Sequence, residues 1–123
     1  GNAIDKYYPA QHQNFAKKLV AENKGVVISE YPPNYPTLAE NFPQRNRIVA
    51  GLAKAVIVIE AAEKSGTLIT AKLANEMNKD LFAVPGEIFV KNSTGCNQLI
   101  LDGMACPAIS GKQILAQLGL KKI

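Results

Sequence analysis

Apolar residues along the chain fall alternately into helical and strand-like patterns. Helical spacing over residues 9–20 predicts a first helix, and the β-branched run at residues 25–31 predicts a strand. Pro32 ends that strand, because proline cannot extend a central strand. Helical spacing returns from Asn41, where Pro43 suits a first helical position, and a continuous apolar run follows at residues 55–60. Such a run is typical of a parallel strand covered on both faces.

The same alternation continues to the end of the chain. Ser65 is placed to cap a helix, and the short apolar run at residues 81–84 predicts another strand. The last predicted elements are a short helix over residues 95–101, an edge strand over 106–109 and a helix over 113–118. The inward-facing positions expected on the two central helices are Ile48, Val49 and Leu52, then Ile69, Leu73 and Met77. This order predicts one α/β domain over residues 1–123, a doubly wound, mostly parallel sheet with helices on both faces.

The composition is that of an ordinary globular domain. The 123 residues are 47% hydrophobic and 20% charged, which disfavours wholesale disorder and a disulfide-dense miniprotein. No apolar run approaches the roughly 20 residues of a membrane helix, and the first residues lack a basic segment followed by an apolar one. We therefore expect a cytoplasmic protein with no membrane partner.

The two arginines of the chain lie at one place. The net charge of +4 permits a polyanionic partner without requiring one. Arg45 and Arg47 fall in the first turn of a predicted helix, where the exposed N–H groups already carry partial positive charge and acidic residues are favoured. A phosphate would satisfy both arginines. The alternative for Arg45 is an ion pair with a buried Glu60 or Glu30.

A second candidate anion site lies at the start of the following helix. Ser65, Gly66 and Thr67 can turn backbone N–H groups and two hydroxyls toward an anion, and Lys64 adds charge beside them. Gly66 would allow close approach. The alternative is simple capping of the helix by Ser65. In a parallel sheet both helix starts follow carboxyl ends of strands, the edge where ligands gather.

Aromatic residues accompany the arginines. The proline-containing loop before Arg45 contains three aromatic residues, Tyr31, Tyr35 and Phe42. Interleaved aromatic and cationic side chains suit single-stranded nucleic acid, because flat rings stack on bases while cations hold the backbone. We expect Tyr31 to fix the loop to the protein and Phe42 to be the stacking residue.

Motifs for other chemistries are missing from the sequence. It contains neither G-x-G-x-x-G nor G-x-x-x-x-G-K-[ST], so no dinucleotide or P-loop nucleotide is supported. Cys96 and Cys106 have no metal-binding spacing, and the single histidine, His12, has no evident partner. We expect no catalytic residues, no metal and no cofactor.

Several ordered segments resemble one known family. Phe-Pro-Gln-Arg-Asn-Arg at residues 42–47, Lys-Ser-Gly-Thr at 64–67 and Phe-Ala-Val-Pro-Gly at 82–86 are similar to the core signature of DNA-processing protein A, DprA or Smf. The resemblance covers almost the whole chain. It implies a Rossmann-like, non-enzymatic domain that binds single-stranded DNA during natural transformation and recombination, helps to load the RecA recombinase, and forms homodimers. The implied DNA-binding residues are Phe42, Arg45, Asn46, Arg47, Lys64, Ser65, Gly66 and Thr67.

The family pattern also includes upstream strands with their own glycine-rich turn. Their absence from this sequence indicates a fragment or a reduced homologue, the C-terminal part of the family domain. Two other functions stay open. One is a nucleotide-binding protein of the related lysine-decarboxylase-like group, although the P-G-G-x-G-T phosphate loop of that group is missing here. The other is a protein-interaction or dimerisation module, with residues from Gly95 onward as the expected dimer surface.

Overall fold

The structure is a computed structural model that describes residues 1–120. By internal contacts it forms two compact units, Gly1–Arg45 and the residues from Asn46 onward. In chain order the elements are a 3₁₀ turn Ala10–His12, α1 Gln13–Ala21, α2 Asn41–Leu52, β1 Ala55–Val58, α3 Gly66–Glu76, β2 Asp80–Ala83, a 3₁₀ turn Lys91–Ser93, α4 Thr94–Leu101, β3 Cys106–Pro107 and α5 Gly111–Gln117. The single domain expected from the sequence stays a prediction.

The first unit contains the predicted first helix, α1, but not the predicted strand at residues 25–31. That prediction is wrong: in the part of the chain that the structure describes, this segment is irregular, and Val26 and Ile28 are 80% and 60% exposed. A β-branched run becomes a strand only when a neighbouring strand accepts and donates its backbone hydrogen bonds. Here the bond from the Ile4 N–H to the Tyr31 oxygen, 3.2 Å long, ties the end of the segment to the start of the chain.

Polar contacts fix the loops of this unit. The Ser29 hydroxyl donates to the Asn2 carbonyl oxygen at 2.6 Å and accepts from the Tyr31 N–H at 3.0 Å. The Asp5 carboxylate accepts from the Asn34 N–H, with 3.1 and 3.2 Å to its two oxygens. Asn34 has a φ of 66°, a left-handed conformation that asparagine tolerates better than most residues. The loop before α2 is therefore anchored at several points.

The second unit is built on a parallel sheet with strand order β1-β2-β3. Val58 pairs with Ala83, and Phe82 pairs with Cys106. Helix α3 connects β1 to β2, and α4 lies in the connection from β2 to β3, as expected for parallel strands, which require crossovers. The predicted α/β class with a parallel sheet is confirmed. None of the helices in residues 1–120 is long and apolar enough to cross a bilayer.

The faces that the central helices bury differ from the predicted ones. Alanines line them: Ala50 of α2 and Ala71 and Ala74 of α3 are fully buried. Four of the six predicted inward positions are exposed, Val49 at 49%, Leu52 at 73%, Ile69 at 43% and Met77 at 38%. Ile48 is half-buried, and Leu73 packs partly buried against the core, as predicted. The prediction is wrong for the four exposed positions because it followed the largest side chains. A small side chain lets a helix backbone approach its neighbour closely, so alanine positions can form the buried face.

Strand β1 is shorter than its apolar run. It ends at Val58, and Ile57 and Ile59 are 44% and 64% exposed, so the prediction of a strand covered on both faces is wrong for the described residues. The buried core of the second unit consists of Ala50, Val58, Ala61, Ala71, Ala74, Leu81, Ala83, Cys96, Leu99 and Ala105. The other boundary differences are small: α2 begins at Asn41 rather than at Pro43, and α5 at Gly111.

Candidate nucleic-acid interface

The first turns of α2 bring Phe42 and Arg45 into contact. They are three residues apart on one helix, a spacing that places side chains on the same face. The guanidinium carbon of Arg45 lies 5.7 Å from the centroid of the Phe42 ring, within cation–π distance. Arg45 is half-buried, while Arg47 is exposed. Two predicted site residues, one aromatic and one cationic, therefore form a single group.

The carboxylates considered as partners for Arg45 are not buried. Glu30 and Glu60 are both exposed, which corrects the expectation of a buried carboxylate. Burial lowers the pKa of the Gly1 amino group, the charge of Arg45 lowers it further and that of Glu30 raises it, so both charges lie near Gly1. Glu60 accepts a hydrogen bond from the Asn92 side chain, 3.4 Å away.

The aromatic residues of the loop have different partners, and the stacking role expected of Phe42 stays a prediction. Tyr31 packs on Tyr35, with 4.8 Å between ring centroids, and its hydroxyl donates to Gln44 Oε1 at 3.3 Å. Tyr31 thus fixes the loop to the first turn of α2. Phe42 instead contacts Tyr8, whose ring centroid lies 5.4 Å away at an interplanar angle of 53°.

Tyr8 is the residue of this group that sequence reasoning missed. It is 64% exposed and lines an open depression of about 310 Å³ together with Thr37, Ala39 and Phe42. Tyr8 lies far from Phe42 in sequence, in an irregular segment without periodicity. Tyr8 could have been identified as a candidate because it is a large aromatic residue next to Pro9, in a segment with no helical or strand pattern that would bury it.

The start of α3 presents an unusual turn. Lys64 has a φ of 62°, in the left-handed region, and the Ser65 N–H donates to the Ala62 oxygen at 3.1 Å. Ser65 is the N-cap residue by its extended backbone, but its side chain makes no capping bond within residues 1–120. Its Oγ is buried and has no hydrogen-bond partner there. The alternative in which Ser65 simply caps the helix is therefore wrong.

Gly66 follows as the first residue of α3. A Cβ added to Gly66 would meet nothing within 4 Å, so the space beside this residue is open. The first N–H groups of an α-helix have no partner within the helix and favour negative charge. Ser65 Oγ, the exposed Thr67 and the exposed Lys64 stand at the same turn. The predicted anion site is chemically suited to a phosphate.

The predicted site residues thus form two local groups. Asn46 and Arg47 continue α2 directly after Arg45, and residues 64–67 form the turn into α3. That the two groups hold one ligand together stays a prediction.

In the second unit, the loop after β2 is held by the side-chain amide of Asn97. Asn97 Oδ1 accepts from the Gly86 N–H at 3.0 Å, and Asn97 Nδ2 donates to the Gly86 oxygen at 2.9 Å. These two hydrogen bonds replace the backbone partners that a strand would supply, and they hold the turn at residues 85–86 against α4.

The cysteines and acidic residues show no metal site. Within residues 1–120 no group of three or more His, Cys, Asp or Glu side chains is close enough to hold a metal ion. Cys96 is buried, with its Sγ 3.7 Å from the Val58 oxygen, and burial raises the pKa of its thiol. Cys106 is exposed.

Comparison with known proteins gives consistent matches. The family model of DNA recombination-mediator protein A matches residues 1–119. Protein Smf of Synechocystis is 46% identical over 119 residues, which are 97% of this chain and 29% of that protein. The DNA processing protein DprA of Streptococcus pneumoniae is 42% identical over 117 residues, 95% of this chain and 40% of that protein. The chain therefore spans well under half the length of these curated relatives.

Two solved structures match the fold. The X-ray structure of DNA processing protein A from Streptococcus pneumoniae superposes with a TM-score of 0.84 and 40% identity, covering 98% of this chain and 41% of that one. A structure of DNA processing protein A from Helicobacter pylori, described for its single-stranded DNA binding mode, gives a TM-score of 0.78 and 30% identity over 94% of this chain and 52% of that one. The Rossmann-like fold expected from the sequence is confirmed.

Proposed function

This chain belongs to the family of DNA recombination-mediator protein A, and we propose that it binds single-stranded DNA without catalysing a reaction on it. The observation that carries the proposal is the contact between Arg45 and Phe42. The contact joins a cation, which can hold a phosphate, to the aromatic pair of Phe42 and Tyr8, which offers a surface for a base. Sequence-independent binding of single strands combines these two elements. The Helicobacter pylori relative, described as binding single-stranded DNA, supports this choice of ligand.

In the proposed complex the two groups have different tasks. Arg45 and Arg47 hold phosphates at α2, while a base stacks beside Arg45 on the aromatic residues. Lys64 and the free N–H groups at the start of α3 take a further phosphate, to which the unpartnered Ser65 Oγ donates. Asn46 follows Arg45 on α2 and supplies an amide for the sugar-phosphate backbone.

The biological setting is proposed from the family. A recombination mediator that coats incoming single strands would act in natural transformation and homologous recombination, in the cytoplasm, and would pass the strand to the RecA recombinase. We also propose a homodimer, formed through the residues from Gly95 onward. Family membership favours this function over the nucleotide-binding alternative, for which the sequence lacks the phosphate loop.

Fluorescence anisotropy with a labelled oligothymidylate at two salt concentrations tests the proposal. We expect binding that weakens with salt, and a loss of affinity of about tenfold or more in the double variant Arg45→Ala, Arg47→Ala, with a shallower salt dependence. The matched control is Lys17→Ala, Lys72→Ala, which removes the same charge from exposed positions on α1 and α3. Equal affinities of the two double variants would show that only net charge matters and would reject the proposed site.

A further inference from the structure

The rings of Tyr8 and Phe42 differ in how much of them solvent reaches. Phe42 is half-buried: Arg45 lies over its ring, and a Cβ placed on Gly1 would come within 2.8 Å of its Cδ1 atom. Tyr8 packs against Phe42 but is 64% exposed. The ring with free surface for a ligand is therefore that of Tyr8, and Phe42 is the ring that holds it in place.

We propose that Tyr8 stacks on a nucleobase of the bound strand, in the depression that it forms with Thr37, Ala39 and Phe42. The inference deepens the proposed function and rests on it. Phe42 then has a positioning role, since it contacts both Tyr8 and Arg45 and so fixes the ring relative to the cation.

The size and lining of the depression fit one base. Its volume of about 310 Å³ is at the lower end of the range for small-molecule sites, which is roughly 300–1,000 Å³. Two of its four lining residues are aromatic, and Ala39 adds a small apolar surface. Aromatic rings bind bases of any sequence because every base has a flat π-face.

Charge complementarity selects the kind of ligand. Arg45 contacts Phe42, one of the lining rings, so a cation lies next to the depression. A base within a strand carries a phosphate on each side of its sugar, and one of these can reach the guanidinium while the base remains stacked. The features together favour a base joined to a phosphate.

The test compares strands with and without bases. Anisotropy is measured with an oligothymidylate and with an abasic strand of the same length, for the unchanged protein, Tyr8→Ala and the control Tyr8→Phe, which keeps the ring. We expect Tyr8→Ala to lose roughly fivefold to a hundredfold in affinity for the thymidylate strand and little for the abasic strand. Tyr8→Phe should bind both as the unchanged protein does. In a strand that contains 2-aminopurine, the fluorescence of that base changes when it stacks. We expect binding to change this fluorescence with the unchanged protein and with Tyr8→Phe, but not with Tyr8→Ala.

Other outcomes overturn the inference in distinguishable ways. Equal losses for both strands with Tyr8→Ala would mean that the residue supports the fold or the charge rather than a base. No loss for either strand would exclude Tyr8 from the interface while leaving the arginine site intact. Displacement of the strand by equimolar thymidine monophosphate would assign the depression to a free nucleotide instead. Absence of strand binding by the unchanged protein would reject the proposed function itself.

Discussion

The backbone N–H of Gly95 donates a 2.8 Å hydrogen bond to the carbonyl oxygen of Ala61, which joins the start of α4 to the segment after β1. A Cβ on Gly95 would lie 2.7 Å from that oxygen and 2.9 Å from the Cβ of Ala61. No side chain fits at this distance without a shift of the backbone. The close approach, and with it the position of the segment that leads into the Lys64 turn, requires glycine at position 95.

We predict that Gly95→Ala destabilises the protein by about 1–3 kcal/mol, the usual cost of forcing an extra methyl group into a packed site. Urea unfolding followed by circular dichroism measures the change. Gly111→Ala is the matched control, because Gly111 also lies at the start of a helix and a Cβ there would meet nothing within 4 Å. A stability of Gly95→Ala equal to that of the control would contradict the contact.

Gly66→Ala separates folding from binding at the start of α3. The methyl group enters open space, and alanine favours helix more than glycine does, so we expect stability to be unchanged or to rise by about 0.5–1 kcal/mol. Affinity for an oligothymidylate should nevertheless fall severalfold, because the same methyl group blocks access to the first N–H groups of the helix. Gly111→Ala should gain similar stability and keep full affinity. Unchanged affinity of Gly66→Ala would remove this turn from the interface.

Two substitutions at Lys64 separate its charge from its backbone conformation. Lys64→Gly and Lys64→Ala both remove the charge, but only glycine adopts a φ of 62° without steric cost. The glycine variant should be more stable than the alanine variant by about 1 kcal/mol, measured by thermal or urea unfolding. Both should bind the strand with the same reduced affinity. Weaker binding by the alanine variant alone would mean that Lys64 acts through the shape of the turn.

The sequence predicted the parts of the fold that local pattern determines. The apolar run at β1 and the breaks around it indicated a strand of a parallel sheet. Phe42 and Arg45 were grouped because they lie close in sequence, and the structure adds that both lie on one face of α2. The predicted strand at residues 25–31 failed, because strand formation depends on a distant pairing partner that local composition does not reveal.

Two features of the site and core were not predictable by the same means. Tyr8 reaches Phe42 only through the fold of the first unit, and no periodic pattern links the two residues. On α3 the buried residues include Ala71 but not the nearby Ile69, since the closeness of the backbone decides which face is covered. Hydrophobicity alone would predict that Ile69 is more buried than Ala71, and the structure shows the reverse.

The alanine-lined core has a consequence for how this protein can vary. Within residues 46–120, six of the ten buried core residues are alanines, so most replacements at those positions force extra atoms into a closely packed space. Sequence drift and laboratory selection should therefore act on the outer positions first, and libraries that randomise the alanine positions of this core should return mainly small residues.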